Sequence, residues 1–126
     1  MLIRLDMNDR RPMYRQVADE IKVLIAAGRL REGEPLPSVR QLAGDLGVNL
    51  NTIATAYREL QDEGLLTVRH GSGAVVTSLT TRSTPRRELK KPLRTALAQL
   101  VLAGLPRAEI LGLVSEELED LLKGAR

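Results

Sequence analysis

The chain has 126 residues, enough for one ordinary domain or for a small domain carrying an oligomerisation element. It contains no cysteine, which excludes disulfides and thiolate metal sites, and no Phe or Trp beside Tyr14 and Tyr57, so the core must be aliphatic and an aromatic-lined cofactor pocket is not expected. The net charge is +3, yet residues 1–77 hold ten Lys and Arg against ten Asp and Glu; the excess lies wholly in residues 78–126, with nine against six.

No apolar run is long enough to span a bilayer, and the N-terminus lacks the charged-then-apolar layout of a signal peptide, so a soluble cytoplasmic chain without a membrane partner is expected. Leu2-Ile3-Arg4-Leu5 is a short apolar segment that fits an edge strand. Pro12 suits a helix's first turn, and Tyr14, Val17, Ala18, Ile21, Leu24 and Ile25 make an amphipathic face that runs out near Gly28. This helix is expected to cover the back of the elements that follow. Residues 30–37 are turn-rich, with Gly33, Pro35 and Pro37, and are expected to include a brief strand that joins a later hairpin.

Two short helical patterns come next. Ser38 and Gln41 form a capping box, and Val39, Leu42, Ala43 and Leu46 recur at helical spacing until Gly47, which tolerates the left-handed conformation that ends a helix. Asn49 then caps a second helix whose apolar stripe is Ile53, Ala56, Tyr57 and Leu60, stopped by Gly64. Helices joined this tightly must cross steeply. That is a helix-turn-helix, whose second helix fits a DNA major groove while the first braces it. Residues 65–69 and 74–77 read as strands around His70-Gly71-Ser72-Gly73, a tight reversal. A hairpin appended to a helix-turn-helix makes a winged helix.

Residues 78–91 have the composition of a connector, with Thr80, Thr81, Ser83, Thr84 and Pro85 among charges. Arg82, Arg86, Arg87, Lys90, Lys91 and Arg94 concentrate positive charge there against the single Glu88, which fits equally a solvated linker and a phosphate-contacting one. Leu93, Leu97, Leu100 and Val101 form one further helical stripe; Gly104-Leu105-Pro106 breaks it, and Ile110, Leu111, Val114, Leu118, Leu121 and Leu122 form another. A helical hairpin this small does not bury enough surface alone, so its leucines need a partner: a second copy of the chain, or the chain's own first domain.

Leu36-Pro37-Ser38-Val39-Arg40-Gln41-Leu42-Ala43, Gly47-Val48-Asn49-Leu50-Asn51-Thr52-Ile53, Ala56-Tyr57-Arg58-Glu59-Leu60, Glu63-Gly64-Leu65-Leu66 and His70-Gly71-Ser72-Gly73 resemble, in order and spacing, the N-terminal DNA-binding domain of the GntR family of bacterial transcription regulators. The Asn-x-Asn-Thr run and the short chain resemble its YtrA-like branch. The fold class expected is therefore α+β and mostly helical, with a winged helix over residues 1–77, a linker over 78–91 and a helical dimerisation segment over 92–126.

On the second helix of the pair the buried stripe leaves Leu50, Asn51, Ala54, Thr55 and Arg58 outward. Asn51 has the donor and acceptor that pair with adenine; Thr55 reaches a base edge or phosphate; Leu50 and Ala54 offer only apolar contact, for instance to a thymine methyl. Asn49 and Thr52 sit at the helix start, where amide, hydroxyl and backbone N–H groups hold phosphate, though for Asn49 a purely capping role stands beside that one. The resemblance implies that Arg40 contacts DNA and that His70 and Gly71 form the wing tip; Arg58 and Arg69 are candidates for phosphate. Many relatives carry arginines where this chain has Leu50 and Ala54, so weaker guanine readout and more reliance on Asn51, the wing and DNA shape are expected.

The function expected is a sequence-specific transcription regulator, by default a repressor, that binds an inverted-repeat operator in double-stranded DNA as a homodimer. A winged helix used for protein interaction, or an architectural DNA binder without operator specificity, is the competing class. No catalytic motif, metal cluster or cofactor setting is present in the sequence, so an enzyme is not expected. A groove between subunits leaves room for a small-molecule effector, which the sequence does not name.

Overall fold

In this computed structural model, residues 3–69, 73–77 and 84–123 are described. Helix α1 spans Met13–Ala26, with Pro12 at its N-cap, and turns Gln16, Val17, Ala18, Ile21 and Ile25 inward. The described part of the expected edge strand, residues 3–5, is not a strand, and Leu2 lies outside the described residues. Gln16 Oε1 accepts from the Asp6 N–H at 3.0 Å, and Asp6 Oδ1 accepts from the Asn8 N–H, so residues 3–9 are held by side chains along α1 rather than by a sheet ladder. Ile3 still reaches the core and Leu5 packs against it.

A two-residue strand, β1 (Pro35–Leu36), leads into α2 (Val39–Leu46) and α3 (Leu50–Asp62). Ser38 Oγ accepts from the Gln41 N–H at 3.1 Å, the serine half of the expected capping box. Gly47, at φ 68°, closes α2: its N–H donates to Gly44 and the Val48 N–H to Ala43, the paired bonds of a Schellman motif. Asn49 Oδ1 then accepts from the Asn51 N–H at 2.8 Å and starts α3. Strands β2 (Leu66–Arg69) and β3 (Gly73–Val76) form the wing, and β1 adds to β3, giving an antiparallel sheet in the order β1-β3-β2.

The core lies where α1, α2 and α3 meet this sheet, built on Val17, Ile21, Leu42, Ile53, Tyr57, Leu60 and Leu66. Ile53 and Leu60 are fully buried, and burial of each contributes roughly 1.5–3 kcal/mol. The ion pairs that also join α1 to α3, Arg15–Glu59 at 3.3 Å and Lys22–Glu63 at 3.0 Å, are exposed enough to contribute about 0.2–1 kcal/mol each. Apolar contact, not charge, sets the helix arrangement.

Two helices follow, α4 (Arg86–Leu102) and α5 (Arg107–Lys123). α4 begins at Arg86, inside the stretch expected as connector. Pro85 sits at its N-cap, and residues 86–91 are good helix formers whose crowded charges hide the apolar spacing by which a helix is recognised. Pro92 therefore lies within the helix, where it cannot donate to the Glu88 carbonyl. A short turn with Gly104 joins the two helices, but they do not pack along one another as a closed hairpin would. α5 instead touches α1, and neither α4 nor α5 buries a residue fully. Their stripes are only partly covered: Leu97, Leu100, Ile110, Val114 and Leu121 are half-buried, while Val101 is 62% and Leu118 50% exposed.

Candidate nucleic-acid interface

The buried stripe of α3 dictates what its other side presents. At 100° per residue, Asn51, Ala54, Thr55 and Arg58 fall within an arc of about 100° directly opposite Ile53, Ala56, Tyr57 and Leu60. Asn51 and Arg58 are exposed, while Ala54 and Thr55 are half-buried. Leu50, exposed, and Thr52, half-buried, lie at the two seams between these faces. The outward face thus offers one amide, one hydroxyl and one guanidinium on a rigid element.

Asn49 is exposed, but its Oδ1 is committed to the Asn51 N–H, so its capping role is met. Only its amide nitrogen is left to donate outward.

Arg40 and Arg69, far apart in sequence, line one groove with Ser38, Val39, Tyr57, Val68 and Gly73, a cleft of about 490 Å³ between the start of α2 and the wing. Two relationships hold this groove. Tyr57 Oη donates to the Pro37 carbonyl at 2.7 Å, which fixes α3 against the β1–α2 junction. Gly73, at φ 87°, lies so close to the same junction that a Cβ there would stand 3.0 Å from the Leu36 carbonyl oxygen and 3.5 Å from the Ser38 nitrogen. The wing is therefore pinned at its first β3 residue against the N-terminus of α2. In the sequence Gly73 reads only as a turn glycine and Ser38 only as a helix cap, and Val68 does not stand out. The close approach has no local signature, because its two sides are separated by some 35 residues.

Arg40, Arg58 and Arg69 are all exposed, and none enters an ion pair among the described residues. Three uncommitted guanidiniums around a helix with a polar outward face suit a polyanion with readable edges. His70 and Gly71, expected at the wing tip, lie outside the described residues.

Two packed helices joined by residues 47–49, a bracing helix α1 against them and a pinned two-stranded wing together define a winged helix-turn-helix, the architecture of DNA-binding transcription regulators. Residues 13–76 match the family model described as bacterial regulatory proteins, gntR family, and the chain belongs to that family. Its relatives include the HTH-type transcriptional repressor YtrA of Bacillus subtilis, 36% identical over 76 residues, a match covering 60% of this chain and 58% of YtrA, in line with the YtrA-like likeness expected from the sequence. The chain thus spans somewhat over half the length of that relative. Among solved structures, a transcriptional antiterminator from Listeria monocytogenes is 30% identical and superposes with a TM-score of 0.85 over 96% of this chain and 92% of its own. AraR(DBD) in complex with operator ORX1 is 28% identical, with a TM-score of 0.54 over 61% of this chain and 96% of its own.

Proposed function

We propose that this chain is a sequence-specific regulator that binds an inverted-repeat operator as a homodimer, with repression, by blocking polymerase at an overlapping promoter, as its mode of action. The observation that carries the reading is the outward face of α3, where Asn51, Thr55 and Arg58 share one arc beside a groove holding Arg40 and Arg69. Asn51 pairs with an adenine edge, Leu50 and Ala54 lie against thymine methyls, and Thr55 reaches a base or phosphate. Arg40, Arg58, Arg69 and the N-terminus of α3 at Asn49 and Thr52 hold phosphate, with His70 and Gly71 entering the minor groove from the wing. AraR(DBD), similar in fold, was solved on operator DNA, which supports the same partner for this chain.

The dimer is supported by the apolar stripes of α4 and α5, of which Leu93, Val101, Leu111, Leu118 and Leu122 stay at least half exposed in the single chain. Two-fold symmetry in the protein calls for two-fold symmetry in the site, with half-sites about 34 Å apart or a multiple of that.

The test is stoichiometry on duplexes carrying one or two half-sites, measured by sedimentation. Two chains bound to the inverted repeat, with much weaker capture by a single half-site, is the expected result. One chain per duplex, unaffected by deleting a half-site, would overturn the dimeric reading.

A further inference from the structure

The cations of α4 are not scattered. Arg86, Arg87, Lys90, Lys91 and Arg94 follow one another at spacings of one, three, one and three residues, which on a helix places all five within an arc of about 140°. Glu88 falls outside that arc, and Leu89 and Leu93 lie just beyond its other edge. All five cations are exposed, and none enters an ion pair among the described residues. α5 has the opposite character, with Glu109, Glu116, Glu117, Glu119 and Asp120 against Arg107 and Lys123. Positive charge is therefore collected at the end of α4 that follows the wing in the chain, whereas α5 carries a net negative charge.

A second fact gives this face a partner. Residues 1–77 are formally neutral, so the winged domain brings no net positive field to a duplex that carries one negative charge per roughly 1.7 Å of axis. Thr77 ends the hairpin and Thr84 precedes α4, a separation of seven residues that spans at most about 25 Å. The basic face thus starts within about one helical turn of DNA from the wing's base.

We propose that the basic face of α4 is a second DNA-contacting surface, which grips the phosphate backbone flanking the half-site and adds sequence-independent affinity to that of Arg40, Arg58 and Arg69 in the formally neutral winged domain. The proposal rests on the operator-binding reading above and deepens it. Removing the face leaves the sequence preference untouched, because Asn51 and the wing still read the bases; affinity and its salt dependence fall.

The experiment compares the full chain with the triple variant Arg87→Gln, Lys90→Gln, Lys91→Gln, by fluorescence anisotropy across a salt series. Three duplexes are used: a selected operator with flanks, the same operator trimmed to its half-sites, and a shuffled sequence. Glutamine keeps helix propensity at exposed positions, so folding is preserved, and circular dichroism checks it. On the flanked and shuffled duplexes the variant is expected to show a log–log salt slope smaller by about 2 to 3 per bound chain, roughly 0.9 for each phosphate contact removed. On the trimmed duplex wild type and variant are expected to bind alike. An unchanged slope on the flanked duplex overturns the proposal, as does an equal loss on the trimmed one. Loss of dimer mass in the variant, with the slope retained, assigns the face instead to the acidic α5 of a second copy. Equal wild-type affinity for operator and shuffled sequence overturns the operator reading alone, since the slope on the shuffled duplex still decides the role of α4.

Discussion

Tyr57 Oη donates a 2.7 Å hydrogen bond to the Pro37 carbonyl, joining the middle of α3 to the residue that precedes the α2 cap. The same ring is buried in the core, so one side chain sets both the depth of α3 and its register against the groove that holds Arg40 and Arg69. Tyr57→Phe keeps the packing and removes the bond. A loss of about 1 kcal/mol is expected in denaturant unfolding, with operator affinity reduced through the looser groove.

The same hydroxyl gives a pH dependence. Burial raises its pKa above the ordinary 10.0, so the folded state favours the protonated phenol. That contribution is whole below the unfolded value near pH 10 and is lost as pH rises through the higher folded one. Unfolding curves of wild type and Tyr57→Phe are expected to run parallel up to about pH 10 and to converge above it; a constant difference would argue against burial of the hydroxyl.

Gly73→Ala places a Cβ 3.0 Å from the Leu36 carbonyl oxygen and forces a side chain into φ 87°. A destabilisation of about 1–3 kcal/mol is expected. DNA affinity should fall further than stability alone accounts for, because the wing is displaced from α2. Thermal unfolding and operator binding measured on the same preparation separate the two effects.

Asn51 and Arg40 are expected to fail differently. Asn51→Ala should lower discrimination at one adenine position of each half-site by about 1–3 kcal/mol, whereas Arg40→Ala should weaken all sequences alike and reduce the salt slope by about 1 per bound chain. Binding to a panel of single-base operator variants distinguishes them. Discrimination intact in Asn51→Ala but abolished in Arg40→Ala would mean that the specificity assignment is wrong.

Most of the winged helix could be read from the chain, because its signals are local. Ser38, Gly47 and Asn49 act on their own helix ends, and the Ile53 to Leu60 stripe fixes which face of α3 is buried. Non-local features could not be read this way. Gln16, a polar residue 3% exposed, holds the N-terminal segment off any sheet, and nothing in the apolar 2–5 run announces that. The start of α4 at Arg86 was hidden by charge, and the opening between α4 and α5 by leucine stripes that fit a closed pair equally well.

Those partly covered stripes carry a further expectation. Val101→Glu together with Leu118→Glu puts charge on surfaces 62% and 50% exposed in the single chain, so the monomer should fold normally. Sedimentation is expected to show a monomer, and affinity for the inverted repeat should drop toward that of one half-site. A double variant that remains dimeric would place the interface elsewhere.

The central claim, recognition of a two-fold DNA sequence by α3 and the wing, is tested most directly by selecting bound sequences from random duplex DNA with the full chain at two salt concentrations. The account expects an inverted repeat whose enrichment survives at the higher salt, since base contacts at Asn51 and Thr55 do not depend on released counterions as phosphate contacts do. Unstructured enrichment that vanishes with salt, or no retained DNA at either concentration, would contradict it.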